Sequence, residues 1–170
     1  MTTNSDRPLG YLLHSEGELL EVAERAIAYA RTIGAEAASA LASENAGTTM
    51  KVRDGSAFSA IRDGGHSLSI AIFDQGRAGQ ASTQALDRKT VEQTVEMALA
   101  IARQVEPDSD AGLADPSWLA IDTPDVNLFA PAGRDPDELL SAALEIEAAA
   151  VERGRAVGAD IRVDEAAAMS

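Results

Sequence analysis

Apolar positions near the start of the chain recur with the spacing of an amphipathic helix. Behind a capping box formed by Ser15 and Glu18, apolar residues return every three or four positions, which predicts a helix over 15–33. The same spacing returns later and predicts a second helix over 87–104. Each helix would carry one apolar face. We expect both faces to cover the same side of a sheet.

Between these helices the pattern changes to an alternation of apolar and polar positions, which is typical of β-strands. Short groups of Asp, Gln and Gly at 54–55, 63–65 and 74–76 interrupt the alternation and predict tight hairpin turns. With the segment 37–44 as the first strand, the alternating segments and the turns between them predict an antiparallel meander that ends near Thr83. The expected fold class is therefore α+β: an antiparallel meander of about five strands with two or three helices packed on one face.

A proline-rich stretch, 106–134, separates these elements from the rest of the chain. It has neither helical nor strand periodicity, and it predicts an extended crossing. A connection of this length needs apolar anchors in a compact domain. We expect seven apolar residues to hold it against the core: Leu113, Trp118, Leu119, Ile121, Val126, Leu128 and Phe129.

The last part of the sequence predicts one more helix and one more strand. A cap, a first-turn proline and a capping-box acid stand in register and predict a third helix over 135–154. A strand-like pattern over 158–170 then looks interrupted. We therefore expect residues 1–170 to form a single α+β domain, with 14–105 as its helix–meander–helix part, at the amino-terminal end of a longer two-domain protein.

Composition narrows the classes of function. The 28 acidic residues outnumber the 14 basic residues and give a net charge of −14, which repels nucleic-acid phosphates and anionic lipids. The chain has no cysteine, no long apolar run and no signal-peptide pattern. We therefore expect a cytoplasmic protein that binds neither nucleic acid directly nor a membrane.

The sequence contains few residues in patterns that are typical of catalytic or metal sites. The two histidines, His14 and His66, form no metal-binding array such as H-E-x-x-H, and the pattern predicts structural roles for both. An acidic stretch from Asp108 begins like a calcium loop, but Leu119 stands where the bidentate glutamate belongs. No serine lies in a nucleophile elbow. We therefore predict no catalytic residue, no metal ligand and no cofactor-binding residue in this chain.

One segment of the sequence predicts a binding site for an extended peptide. A strand rich in small residues at the edge of a meander would let another backbone approach, and it could accept an extended peptide by strand addition. The alternative is that the crossing, or another part of the protein, covers this edge. The candidate residues for the peptide edge are Arg77, Ala78, Gly79, Gln80, Ala81, Ser82 and Thr83.

Several fragments of the chain, in order and spacing, resemble the amino-terminal domain of the TldD/PmbA family, also described as modulators of DNA gyrase. The fragment Gly112-Leu113-Ala114-Asp115-Pro116 and the lack of a strong metal motif resemble the PmbA (TldE) branch more than the TldD branch. The fragments that carry the resemblance lie at 34–37, 52–55, 76–83, 98–103, 112–116 and 124–128.

The resemblance implies a cytosolic zinc metallopeptidase assembly that acts on unfolded or extended peptides. In that family the H-E-x-x-x-H motif belongs to the TldD branch and to the carboxy-terminal domain, and nothing in 1–170 matches it. The resemblance therefore implies zinc in the full assembly and none in this chain. It implies a non-catalytic domain that assembles with a TldD-like partner subunit or with itself and gives peptides access to proteolysis. The alternative is an independent acidic protein-binding module, of gyrase-modulator or toxin-response type, that captures a basic partner without enzymatic activity.

Overall fold

The computed structural model describes residues 12–119, 135–154 and 158–169. Its strands form one four-stranded sheet in which all neighbours are antiparallel, in the spatial order 78–83, 56–73, 37–53 and 158–169. The predicted α+β class is confirmed. In chain order the elements are α1 (Glu16–Thr32), β1 (Ala37–Arg53), β2 (Ser56–Phe73), β3 (Ala78–Thr83), α2 (Arg88–Ala102), a 3-10 turn (Pro116–Trp118), α3 (Pro136–Glu152) and β4 (Gly158–Met169).

The two central strands are longer than the sequence pattern predicts. β1 and β2 pair along their whole length, so the turn predicted at 63–65 is wrong, and two long strands replace four short ones. Gly64 lies within β2 and has no positive φ. A Cβ at this position would meet the main-chain oxygen of Asn45 at 2.6 Å. Glycine here permits close approach of the two strands and does not mark a turn.

The other two hairpin turns lie where the pattern predicts them. Asp54 and Gly55 both have positive φ, and so do Gln75 and Gly76. Positive φ at the central residues is what a tight hairpin requires, and aspartate and glycine are among the residues that tolerate it. β3 then ends at Thr83, as expected.

All three helices of the described chain lie on one face of the sheet. The larger of two apolar clusters joins α1 and α2 to β1 and β2, and includes Leu19, Val22, Ala26, Ala40, Ala42, Leu68, Ile70, Ile72, Val91, Val95 and Leu99. The smaller cluster joins α3 to one end of β1 and contains Met50, Val52, Leu139 and Ala143. Even-numbered residues of β1 contribute to both clusters, and side chains two apart share a strand face.

No helix in the described ranges is long and apolar enough to cross a bilayer.

α3 begins as predicted and also contacts the first hairpin. Asp135 is its N-cap and accepts the N–H of Glu138 at 2.9 Å. Further along the helix, the buried Glu147 accepts the N–H of Gly55 through Oε2 at 2.9 Å. The turn between β1 and β2 is therefore held by a side chain from the far part of the chain.

β4 joins the sheet beside β1. Its register runs from Arg53↔Gly158 to Ala42↔Met169. The strand predicted at the end of the chain is thus a terminal strand of the same sheet, while Ser170 lies outside the described residues.

The predicted anchors of the crossing are wrong wherever the structure describes them. Leu113, Trp118 and Leu119 are 54%, 81% and 59% exposed. The side chain of Asp115 instead accepts the N–H of Ser117 at 2.8 Å and caps the 3-10 turn. Local hydrogen bonds of this kind order a polar segment without apolar burial. The remaining predicted anchors, Ile121, Val126, Leu128 and Phe129, lie outside the described residues.

Candidate functional site

A buried carboxylate, that of Glu44 in β1, lies on the helix-covered face of the sheet. Glu44 is 5% exposed and shares this face with Ala42 and Ala46, which are also buried. Its carboxylate accepts the N–H of Leu13 and the N–H of His14, each at 2.9 Å. A buried charge is tolerated only with such partners, because an isolated one is very costly.

Two imidazole rings flank this carboxylate. Nδ1 of His14 lies 3.0 Å from Oε2 of Glu44. His66 stands directly opposite Glu44 in the β1–β2 register. Its ring meets that of His14 edge-on, with centroids 5.3 Å apart and an interplanar angle of 75°. The sequence pattern predicts separate structural roles for the two histidines, whereas the fold brings both to one carboxylate.

The start of α1 fixes the position of His14. Ser15 is the N-cap, and its Oγ accepts the N–H of Glu18 at 3.2 Å. The carboxylate of Glu18 in turn accepts the N–H of Ser15 at 2.7 Å, which completes the predicted capping box. The hydroxyl of Ser15 also donates to this carboxylate at 3.0 Å, and the two hydrogen bonds that Ser15 donates hold the pKa of Glu18 below its ordinary value. Leu12, two residues before His14 in the chain, is buried. The ring is therefore carried by an ordered segment.

The surroundings of Glu44 keep its carboxyl group charged. Burial raises the pKa of Glu44, but the N–H groups of Leu13 and His14, together with the His14 ring, outweigh burial and leave the pKa below its ordinary value. The site thus combines one anionic oxygen donor with two imidazoles. One ligand atom from each of His14, Glu44 and His66 lies within 4.8 Å of the other two. Such a donor set suits zinc and related divalent ions.

A cleft opens beside this cluster. Its volume is about 610 Å³, which falls within the usual range for ligand sites of roughly 300 to 1,000 Å³. Glu44 and His66 both contribute to its wall, so the cluster adjoins a space that a small ligand can enter. The lining residues are Leu13, Glu44, Asn45, Ala46, Arg62, Asp63, Gly64, Gly65 and His66.

A second polar cluster lies on the opposite face of the sheet, where Arg162 of β4 reaches across β1. Its Nε donates to Asp164 at 2.8 Å, and its Nη1 donates to Thr49 of β1 at 3.1 Å. Its Nη2 forms an ion pair with Asp63 of β2, also at 3.1 Å. The hydrogen bonds to Asp164 and Asp63 raise the pKa of Arg162. This cluster joins three strands, and its one cation is shared between two carboxylates.

The predicted peptide edge forms β3, which is the terminal strand of the described sheet next to β2. Gly79 faces α2, and a Cβ there would collide with main-chain atoms of Ala98 and Ala102. Gln80 and Ser82 are exposed. The helix side of β3 is therefore covered, while the other side is open. Pairing of a peptide with this edge stays a prediction.

The other candidate edge residues occupy mixed environments. Arg77 precedes β3 and closes the turn from β2, because its N–H donates to the carbonyl of Asp74 at 3.1 Å. The Nε atom of Arg77 is buried and has no hydrogen-bond partner among the described residues. Ala78 is exposed, whereas Ala81 and Thr83 are half-buried.

Two curated proteins resemble this chain in sequence, although no protein-family model matches it. The chain is 35% identical to the metalloprotease PmbA of Escherichia coli O157:H7 over 131 residues, which cover 77% of this chain and 28% of that protein. It is 39% identical to a metalloprotease PmbA homolog of Haemophilus influenzae over 85 residues, which cover 50% of this chain and 19% of that protein. The match thus spans less than a third of each relative.

Solved structures share the fold. A modulator of DNA gyrase from Bacteroides thetaiotaomicron has a TM-score of 0.77 and 26% identity, over 87% of this chain and 35% of that one. TldE from Thermococcus kodakarensis has a TM-score of 0.50 and 16% identity, over 87% of this chain and 34% of that one. The sequence matches to PmbA proteins and the shared fold agree with one another. The chain belongs to the TldD/PmbA family.

Proposed function

We propose that this chain is a non-catalytic, amino-terminal domain of a TldD/PmbA-family metallopeptidase assembly. In this role it contributes to the contact between subunits and to the access of extended peptides to the proteolytic site. The metalloprotease names of the two curated relatives support peptides as the substrate class. The sequence supports a non-catalytic role, because its two histidines do not have the H-E-x-x-x-H spacing.

The observation that carries this proposal is the sheet face opposite the helices. Both apolar clusters lie on the other face, so within the described ranges no helix covers this one. Short side chains dominate here, and Leu41 is 45% exposed. A peptide that adds as a strand would pair with the outer edge of β3, and the short side chains of the adjoining open face would leave room for the peptide's own side chains. A shallow depression of about 320 Å³ on the sheet is lined by Ser39, Ala40, Leu41, Ser69, Ala71 and Gln80.

Fluorescence anisotropy with a labelled short peptide tests the proposal. The probe alternates threonine and valine between terminal lysines, which suit a chain of charge −14. We expect saturable binding that weakens about tenfold or more when alternate peptide amides are N-methylated, because strand addition depends on main-chain N–H groups. A scrambled peptide of the same composition should bind equally well.

Two outcomes would contradict peptide pairing. Equal affinity for the methylated and unmethylated peptides would show that main-chain hydrogen bonds play no part. Binding that depends only on the lysines, and that high salt abolishes, would favour the acidic binding module instead. The assembly role is tested separately by light scattering, alone and with a TldD-family partner. A chain that stays monomeric under both conditions would contradict it.

A further inference from the structure

We propose that His14, Glu44 and His66 form a binding site for a divalent transition metal of the zinc class, and that the bound ion ties the start of α1 to the sheet. The three residues come from the segment before α1, from β1 and from β2. Two imidazole nitrogens and one carboxylate oxygen are a donor set found in zinc sites. The site involves neither the open sheet face nor β3, so it does not depend on the proposed function.

Zinc binding requires the three donor atoms to move closer together than they lie in this structure. Zinc holds nitrogen and oxygen donors at about 2.0–2.2 Å, which places tetrahedral donors roughly 3.3 Å apart. The three donor atoms here lie within 4.8 Å of one another. The His14 side chain is 30% exposed and His66 is half-buried, so both rings have room to rotate. Glu44 is the fixed point toward which they move.

The surrounding hydrogen bonds orient the donors. The N–H of Leu13 donates to Oε1 of Glu44, and the N–H of His14 donates to Oε2. Main-chain bonds of this kind orient the carboxylate ligands of metal sites. Nδ1 of His14 faces the carboxylate, and it can bind the ion there in the tautomer that carries the proton on Nε2. Both imidazoles bind the ion in their neutral form, as histidine ligands of zinc do.

The charges beside the site do not oppose a cation. Arg62 and Asp63 line the same cleft and carry opposite charges, and Arg162, which pairs with Asp63, is paired with Asp164 as well. Glu44 adds one negative charge that the described fold keeps buried. Three protein donors leave one tetrahedral position, and the cleft supplies the space for a water molecule or a ligand group there.

Nuclear magnetic resonance on the untagged chain gives the direct test, because the sequence holds two histidines and no cysteine. One molar equivalent of Zn²⁺ at pH 7.5 should shift the ring signals of both histidines, and calorimetry should give one ion per chain. Mg²⁺ should shift neither, because it prefers oxygen donors. A zinc-induced shift in one ring only, or in neither, would overturn the proposal.

Variants distinguish zinc binding at these three residues from nonspecific zinc binding by the acidic surface of the chain. His14→Ala and His66→Ala should each weaken zinc binding about tenfold or more, while circular dichroism confirms that the chain is folded. Asn45→Ala is the matched control, because Asn45 lines the cleft but is not one of the three donors. Its zinc affinity should equal that of the parent chain. If His66→Ala binds zinc as tightly as Asn45→Ala, the site does not exist.

Discussion

Gly79 of β3 lies directly against the main chain of Ala98 in α2. A Cβ at position 79 would collide with the carbonyl oxygen of Ala98 and with the main chain of Ala102. Both obstacles belong to helix backbone, which can yield only if α2 moves away from the sheet. The contact between strand and helix therefore depends on the absence of a side chain.

Replacement of Gly79 by alanine should destabilise the chain by about 1–3 kcal/mol, because overpacking forces backbone shifts. Urea unfolding followed by circular dichroism measures this change. Gly65→Ala is the matched control: it also lies in a strand, and its Cβ would meet nothing within 4 Å. We expect the control to change stability by about 0.5 kcal/mol or less. Equal effects at the two positions would contradict the packing of α2 on β3.

Leu99→Asp should abolish cooperative unfolding. Leu99 is 4% exposed and belongs to the larger apolar cluster, so aspartate would place an unpaired charge there. The expected loss is above about 4 kcal/mol. Met97→Asp, on the same helix and 59% exposed, should melt like the parent chain. A normal thermal melt for Leu99→Asp would show that α2 presents a different face to the sheet.

The buried carboxylate of Glu44 should make stability fall in acid. Its pKa in the folded chain is below the ordinary value of 4.5, so the stability that it contributes is present above about pH 4.5 and is lost as the pH falls through the folded pKa. Urea midpoints between pH 7 and pH 3 measure this loss. In Glu44→Gln the acid-dependent fall should be smaller, whereas Glu24→Gln, at an exposed position on α1, should retain it. Parallel pH curves for Glu44→Gln and the parent chain would contradict the prediction.

Arg162→Lys should loosen β4. Lysine keeps the charge but lacks the planar fork that bonds Asp164, Asp63 and Thr49 together. Hydrogen exchange followed by mass spectrometry should show faster exchange at 158–169, while β3 keeps its protection. Arg88→Lys, in an exposed pair with Glu92 on α2, is the control and should leave β4 unchanged. Unchanged exchange in Arg162→Lys would show that pairing with β1 alone holds the strand.

Local signals in the sequence predict the local features of this fold well. The capping residues Ser15 and Asp135 open helices where expected, and Asp54-Gly55 forms a hairpin. Glycine is ambiguous, however, because it allows both a positive φ and a close approach of backbones. Gly64 allows β1 and β2 to approach each other closely and has no positive φ, so the strand continues through it.

The histidine and glutamate cluster depends on information that no local pattern contains. Glu44 meets His66 only in the observed β1–β2 register, and His14 joins them through the entry into α1. One signal was present in the sequence: Glu44 falls in the alternating row of Ala40, Ala42 and Ala46, on the face that becomes buried. A carboxylate in such a row needs donors, and a search for them leads to the histidines.

The pairing of β4 with β1 sets an order on folding. Residues 158–169 pair with 42–53, so this contact closes a loop of roughly a hundred residues, whereas the β1–β2 and β2–β3 hairpins close locally. During synthesis on the ribosome, one flank of β1 therefore waits unpaired until the far strand emerges. A nascent chain stalled before residue 158 would expose that flank, and chaperones or other chains could occupy it first.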